Sequence, residues 1–112
     1  MLHRFTERQV CELRFRARRS GREVVLPVMY AQHDGTVVIL VGRSDRKRWW
    51  RTFTRPRRVE VSLNGTACEG TGRVVRPGTP TRAVAARIYG SRFPHVRVGD
   101  DPMVVIDLDP AP

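Results

Sequence analysis

Three turn dipeptides constrain this chain more than anything else in it. Ser20-Gly21, Asp34-Gly35 and Asn64-Gly65 each sit between two apolar runs of strand length. Asx-Gly pairs supply the positive backbone angles of tight hairpins, and Asn64-Gly65 is a type I′ signature. The flanking runs are therefore antiparallel neighbours. Parallel strands need long crossovers, usually helical, and no segment between these runs is long enough to supply one, so a parallel sheet is excluded. A sheet built of three adjacent hairpins leaves exposed edges unless it closes. A small antiparallel barrel is the economical solution.

The runs themselves carry the period of strands. Cys11 to Arg18 alternates, with Leu13, Phe15 and Ala17 on one face and Glu12 and arginines on the other. Glu23 to Tyr30 differs, because Val24, Val25, Leu26, Val28 and Met29 place apolar groups on both faces. One face can serve the core; the other needs a cover, such as a subunit or a ligand. Pro27 has no amide hydrogen to donate and marks a bulge or an edge. Thr36 to Val41 is a third strand, and Gly42-Arg43-Ser44-Asp45 breaks it and opens a short helix, with Ser44 or Asp45 as candidate cap. Trp49, Trp50 and Phe53 gather on one side of that helix, and Arg55-Pro56 ends it. Val59 to Leu63 and Ala67 to Arg76 form the next hairpin, in which Gly70 and Gly72 suggest sharp bending. Thr79-Pro80 starts a second helix, with Val84, Ala85 and Ile88 as its apolar stripe before Gly90. A loop from Ser91 precedes a last strand, Met103 to Leu108. The expectation is a mainly β domain of six antiparallel strands and two short helices spanning residues 1–112, with 1–9 and 109–112 as flexible tails.

At 112 residues the chain has material for one core without staples. Cys11 and Cys68 show no paired spacing, so neither zinc nor a cysteine nucleophile is expected. No apolar run reaches membrane-span length, and Met1 to Glu7 lacks an apolar segment behind a basic start. A cytoplasmic protein is expected.

Charge narrows the choice of partner. The formal charge is +10, and Lys47 is the one lysine among the cations. Such an excess attracts anions. Eight of the sixteen positions from Arg43 to Arg58 are positive and one is negative, with Trp49 and Trp50 in the middle. The segment begins where an apolar strand ends and crosses a helix start, where free amides favour phosphate. Arg43, Lys47 and Arg48 add cations and Ser44 a hydroxyl, which are the parts of a phosphate-binding corner. The alternative is that the two indoles plug the barrel end and the arginines are simply solvated.

In order along the chain, Gly21 to Tyr30, Asp34-Gly35, Gly42, Lys47-Arg48-Trp49-Trp50, Pro56 to Val61, and finally Pro102 to Ile106 with Asp109-Pro110 resemble the flavin/deazaflavin-binding split β-barrel family. The likeness is greatest to its deazaflavin-dependent nitroreductase branch, within the pyridoxamine 5′-phosphate oxidase-like superfamily. The resemblance implies a six-stranded split β-barrel, a homodimer, and coenzyme F420 or FMN as cofactor. By position it implies that Pro27, Val28, Met29 and Val41 border the cofactor ring. It implies phosphate contacts from Gly42, Arg43, Ser44, Lys47 and Arg48, with Trp50 and Arg57 as further cofactor-binding positions. The tyrosine cluster of the nitroreductase branch is missing, Tyr89 standing alone in the second helix. No catalytic acid–base pair stands out, and hydride chemistry would belong to the cofactor. The function implied is an oxidoreductase reducing an electron-poor small molecule such as a quinone or nitro compound. Two other readings stay open: a nucleic-acid-binding barrel, from charge and aromatics, and a non-catalytic member that binds a cofactor or haem.

Overall fold

The structure, a computed structural model, describes residues 9–110. Seven strands form one sheet: β1 (Val10–Arg16), β2 (Glu23–Met29), β3 (Ala31–His33), β4 (Thr36–Leu40), β5 (Arg57–Leu63), β6 (Thr66–Val75) and β7 (Met103–Leu108). Their order is β2-β1-β5-β6-β7-β4-β3, and every pairing is antiparallel. The three expected hairpins are all present. Asn64 (φ 50°) and Gly65 (φ 81°) have the two positive angles of the type I′ turn, whereas at the second hairpin Asp34 carries the positive φ of 52°.

The expected count of six strands becomes seven, for a physical reason. The segment read as one strand from Glu23 to Tyr30 continues past Tyr30 and changes partner there. Its first part pairs with β1 in an unbroken register from Val10↔Met29 to Arg16↔Glu23. Its second part pairs with β4, from Ala31↔Val38 to His33↔Thr36. One bent segment thus supplies both ends of the sheet and curls it into a barrel split at Tyr30. Pro27 lies opposite Glu12 without a bulge, and β2 has no second neighbour. The missing amide hydrogen of Pro27 therefore falls on the open edge.

Two apolar layers follow from the alternation. Cys11, Leu13 and Phe15 of β1 point into the barrel with Val37, Ile39, Val59, Val61, Val104 and Ile106. The opposite faces of β4 and β7 offer Val38, Met103 and Val105 to helix α1 (Pro80–Arg92), which covers them with Ala85 and Tyr89. Strands β4 and β7 are thus the pair buried on both faces, which explains their unbroken apolar runs. Strand β2 also carries apolar residues on both faces, as expected. Its inward Val24, Leu26 and Val28 pack against the core, while outward Val25 is 43% exposed.

The helices also depart from expectation. Thr79 caps α1 as its side chain accepts from the Arg82 amide at 3.2 Å, and Pro80 follows it. Gly90 does not end α1, which runs to Arg92 and leaves Val84 46% exposed. The expected first helix is instead two 3-10 helices, Ser44–Arg46 and Trp49–Thr54, separated by extended Lys47. Arg43, not Ser44 or Asp45, is the residue before the first of them, and no side chain caps it. Gly70 and Gly72 serve close approach. A Cβ at Gly70 would meet the Asp107 carbonyl oxygen at 2.5 Å, and one at Gly72 would meet the Phe53 ring at 2.9 Å.

Two of the expected tail positions, Gln9 and Asp109, are tied down. Gln9 accepts a bond from the Tyr30 amide at 3.0 Å, and Asp109 donates its amide to the Glu69 carbonyl at 2.8 Å. The remaining tail positions, 1–8 and 111–112, lie outside the described residues. No described helix is long and apolar enough to cross a membrane.

Candidate functional site

The aromatic residues after β4 first decide where a ligand cannot go. Phe53 is fully buried, with its ring 4.8 Å from Phe15 and in edge contact, and Trp49 lies 6.2 Å from Phe53 and 6.3 Å from Phe15. These rings fill the barrel end. Trp49 is half-buried against them and acts as packing. Trp50 is half-buried too, and its indole N–H donates to the Lys47 carbonyl at 2.9 Å and the Ser44 carbonyl at 3.3 Å. It therefore staples the two 3-10 helices to each other, with the Arg51 guanidinium 5.7 Å over its ring. Any ring-shaped ligand must lie outside the barrel.

The corner after β4 keeps several of its expected features. Val41 donates its amide to the Pro102 carbonyl at 2.9 Å, but its side chain is 2% exposed and belongs to the core. Val41, expected to border a cofactor ring, turns its side chain into the barrel core. Gly42 follows, and a Cβ built there would find nothing within 4 Å, so the corner is open. Arg43 adopts the left-handed conformation at φ 54°, ψ 47°. That geometry costs a side-chain-bearing residue on the order of 1–2 kcal/mol. Followed by helical Ser44, it turns successive amides to one side, as in the anion-receptive concavities formed by such pairs. The first hydrogen bond of the turn is donated by the Arg46 amide to Arg43, so the Ser44 and Asp45 amides precede it. Arg43 and Lys47 are exposed and Ser44 half-buried. The corner thus combines a left-handed backbone bend, open space at Gly42 and two exposed cations.

The remaining predicted residues divide between two places. Val28 points inward from β2 and shares the barrel core with Val41, while exposed Pro27 lies on the open edge and Met29 packs toward the α1 layer. Arg57 is committed to the frame, its Nε donating to the Arg16 carbonyl at 3.1 Å. Arg48 faces a different neighbourhood. It lines a concavity of about 580 Å³ with Arg18, Arg19, Ser20, Arg51 and Thr52. Those partners were not singled out from sequence. The basic turn Arg16 to Arg22 was the available signal, but nothing in it shows that this hairpin folds against residues some thirty positions later.

Arg18 orders that concavity. One of its terminal nitrogens reaches the carbonyls of Thr52 and Arg55 at 3.3 Å each and of Pro56 at 3.4 Å. The end of the second 3-10 helix is thereby tied to the β1–β2 turn.

On the sheet, three arginines are paired with acids. Arg58 makes a two-pronged contact with Asp109 and reaches Glu69 at 3.6 Å, Arg73 meets Asp107 at 2.6 Å, and Arg14 meets Glu23 at 3.0 Å. The hydrogen bond from Arg58 holds the Asp109 carboxyl below its ordinary value. Buried Arg82 donates to the Gly99 carbonyl at 2.9 Å, and burial lowers its pKa. Burial pushes the Cys11 thiol up to about 12, which makes it a poor nucleophile. Among the described residues no group of His, Cys, Asp and Glu could hold a metal ion.

No family model matches this sequence, and no curated protein matches it. Solved structures do. An F420-H2 dependent reductase matches with TM-score 0.64 at 11% identity, over 88% of this chain and 94% of that one. HutZ, the haem storage protein from Vibrio cholerae, matches with TM-score 0.66 at 14% identity, over 94% of this chain and 84% of that one. A structure described as a domain-swapped dimer matches with TM-score 0.67 at 13% identity, over 88% and 80%. The fold is the split barrel. At these identities the likeness concerns the fold alone.

Proposed function

We propose that this protein is a flavin- or deazaflavin-dependent oxidoreductase, using coenzyme F420 or FMN to reduce an electron-poor small molecule such as a quinone or nitro compound. The observation that carries this reading is the open corner at Gly42, where left-handed Arg43 and the amides after it form an anion-receptive bend flanked by exposed cations. A split barrel of nearly the same extent belongs to an F420-H2 dependent reductase, which supports the same reading. Arg43, Ser44 and Lys47 would hold the cofactor phosphate. The bound cofactor would supply the hydride, and the aromatic-filled barrel would keep its ring on the outer surface beside β2. No side chain is asked to act as acid or base. Exposed Val25 and Pro27 on the free edge strand favour a homodimer that covers them.

Titration with coenzyme F420, FMN and FAD tests the reading. One of them binds at micromolar strength, and Arg43→Ala with Lys47→Ala weakens it by about tenfold or more. Absence of micromolar binding to all three would falsify the proposal. The haem-protein neighbour HutZ favours a second reading, in which the same fold binds haem without turnover. A Soret band on haem addition, together with no quinone reduction by the flavin-loaded protein, is the result that selects it.

A further inference from the structure

One charged side chain is buried far from the cationic end of the barrel. Arg82, in the first turn of α1, is 5% exposed, and among the described residues it makes no ion pair. Asp100 and Asp101 lie near enough to favour its charge, yet burial outweighs them. A guanidinium held in this way on carbonyls alone is costly to bury. Its terminal nitrogens join two elements, one donating to the Gly99 carbonyl at 2.9 Å and the other reaching the Val75 carbonyl, at the end of β6, at 3.5 Å. Among the described residues, the bond to Gly99 is the one hydrogen bond that residues 97–101 make. A segment with so few bonds opens at low free energy unless something holds it. Gly99 is left-handed at φ 56°, and Val98 packs against the α1 layer.

We propose that Arg82 is a positioning residue for the corner after β4, fixing the backbone at Gly42 and Arg43 by way of the segment 97–101. The route is short. That segment runs directly into Pro102, whose carbonyl accepts from the Val41 amide at 2.9 Å, and Val41 precedes Gly42 and left-handed Arg43. The planar fork of arginine suits the task, because its two terminal nitrogens can serve carbonyls of separate elements at once. The effect on a ligand rests on the reading of this corner as the cofactor site. The effect on the backbone does not.

Two variants attack the link from its two ends. Arg82→Met removes the donor. Gly99→Ala strains the acceptor through its positive φ alone, at an exposed position where a Cβ meets nothing within 4 Å, so it carries the test even if Arg82→Met fails to fold. Gly65→Ala, at φ 81° and equally open, imposes the same kind of strain at the β5–β6 turn and is the control. Amide hydrogen exchange is read at Val41 as a ratio to Leu108, whose amide donates to the Gly35 carbonyl at 2.8 Å. Both link variants raise that ratio by about tenfold, and Gly65→Ala leaves it unchanged. Whichever of coenzyme F420, FMN and FAD the parent protein binds is bound about tenfold more weakly by the link variants and as tightly by Gly65→Ala. An unchanged ratio in Gly99→Ala overturns the proposal. So does full cofactor affinity in both link variants, or an equal loss in Gly65→Ala. A parent protein that binds none of the three overturns the cofactor reading instead, and the exchange ratio then decides the role of Arg82 by itself.

Discussion

The arginines of this protein live under two regimes. On the outer face of β1, β5, β6 and β7 they alternate with acids across the strands, as Arg14 does with Glu23 and Glu60, and Arg58 with Glu69 and Asp109. At the end of the barrel that carries the two 3-10 helices, Arg43, Arg46, Lys47, Arg48, Arg51 and Arg55 have Asp45 as the one acid among them in sequence. The first set is cross-strand pairing on a solvated sheet, where each contact contributes little. The second set gathers cations without local compensation on irregular backbone. A composition bias toward arginine can supply both sets. What separates the two regions is that acids stand beside the arginines of the first.

Four substitutions sharpen or break that contrast. Phe53 seats the cationic end on the barrel through Phe15, Trp49 and the space left by Gly72. Phe53→Ala lowers unfolding stability by about 3–5 kcal/mol in a denaturant titration, and a loss under about 1 kcal/mol would mean the aromatic end is not part of the core. Arg18 is the structural member of the unpaired set, so Arg18→Ala costs roughly 1–2 kcal/mol through its lost carbonyl bonds. Arg48→Ala in the same assay leaves stability within about 0.5 kcal/mol of the parent. Equal costs for both would erase the distinction within the cleft. Arg43→Gly removes left-handed strain and raises stability by about 1 kcal/mol, while weakening cofactor binding. That opposite movement of stability and affinity marks a residue kept for its ligand, and a fall in the melting temperature of Arg43→Gly would contradict it.

The smallest effect belongs to the paired face. Asp109 has its folded pKa depressed by Arg58, so its contribution is present above the ordinary carboxylate range, near 3.8 in the unfolded chain, and is lost as pH falls through the lower folded value. Asp109→Asn therefore lowers the melting temperature slightly at neutral pH and converges on the parent at strongly acidic pH. A gap that stays constant across that range would show that the pair carries no linked charge. The effect is small because both side chains are well exposed.

Much of the scaffold was legible in the chain because it is written in near neighbours. Alternation in Cys11 to Arg16 and in Val59 to Leu63, the turn residues Asp34 and Asn64, and the Thr79-Pro80 helix start all act over a few residues. The site was half legible for the same reason. Gly42 to Lys47 is contiguous, so its open corner could be anticipated. The burial of Val41 could not, because it depends on the barrel core, to which Phe53, Val59, Val61, Val104 and Ile106 come from farther along the chain. Nor could the break of the first helix at Lys47, where Trp50 binds backward to two carbonyls in place of a continuous helical ladder.

What the sequence determined by itself was the set of antiparallel hairpins and the position of the cations, since turn chemistry and side-chain period are local properties. What only the tertiary structure decided was the change of partner at Tyr30 that closes the barrel, and the meeting of the β1–β2 turn with the second 3-10 helix. The first sets two local hairpins at opposite ends of one sheet, and the second joins segments more than thirty residues apart. Their energies come from packing and from carbonyls offered across the fold, which no local pattern encodes.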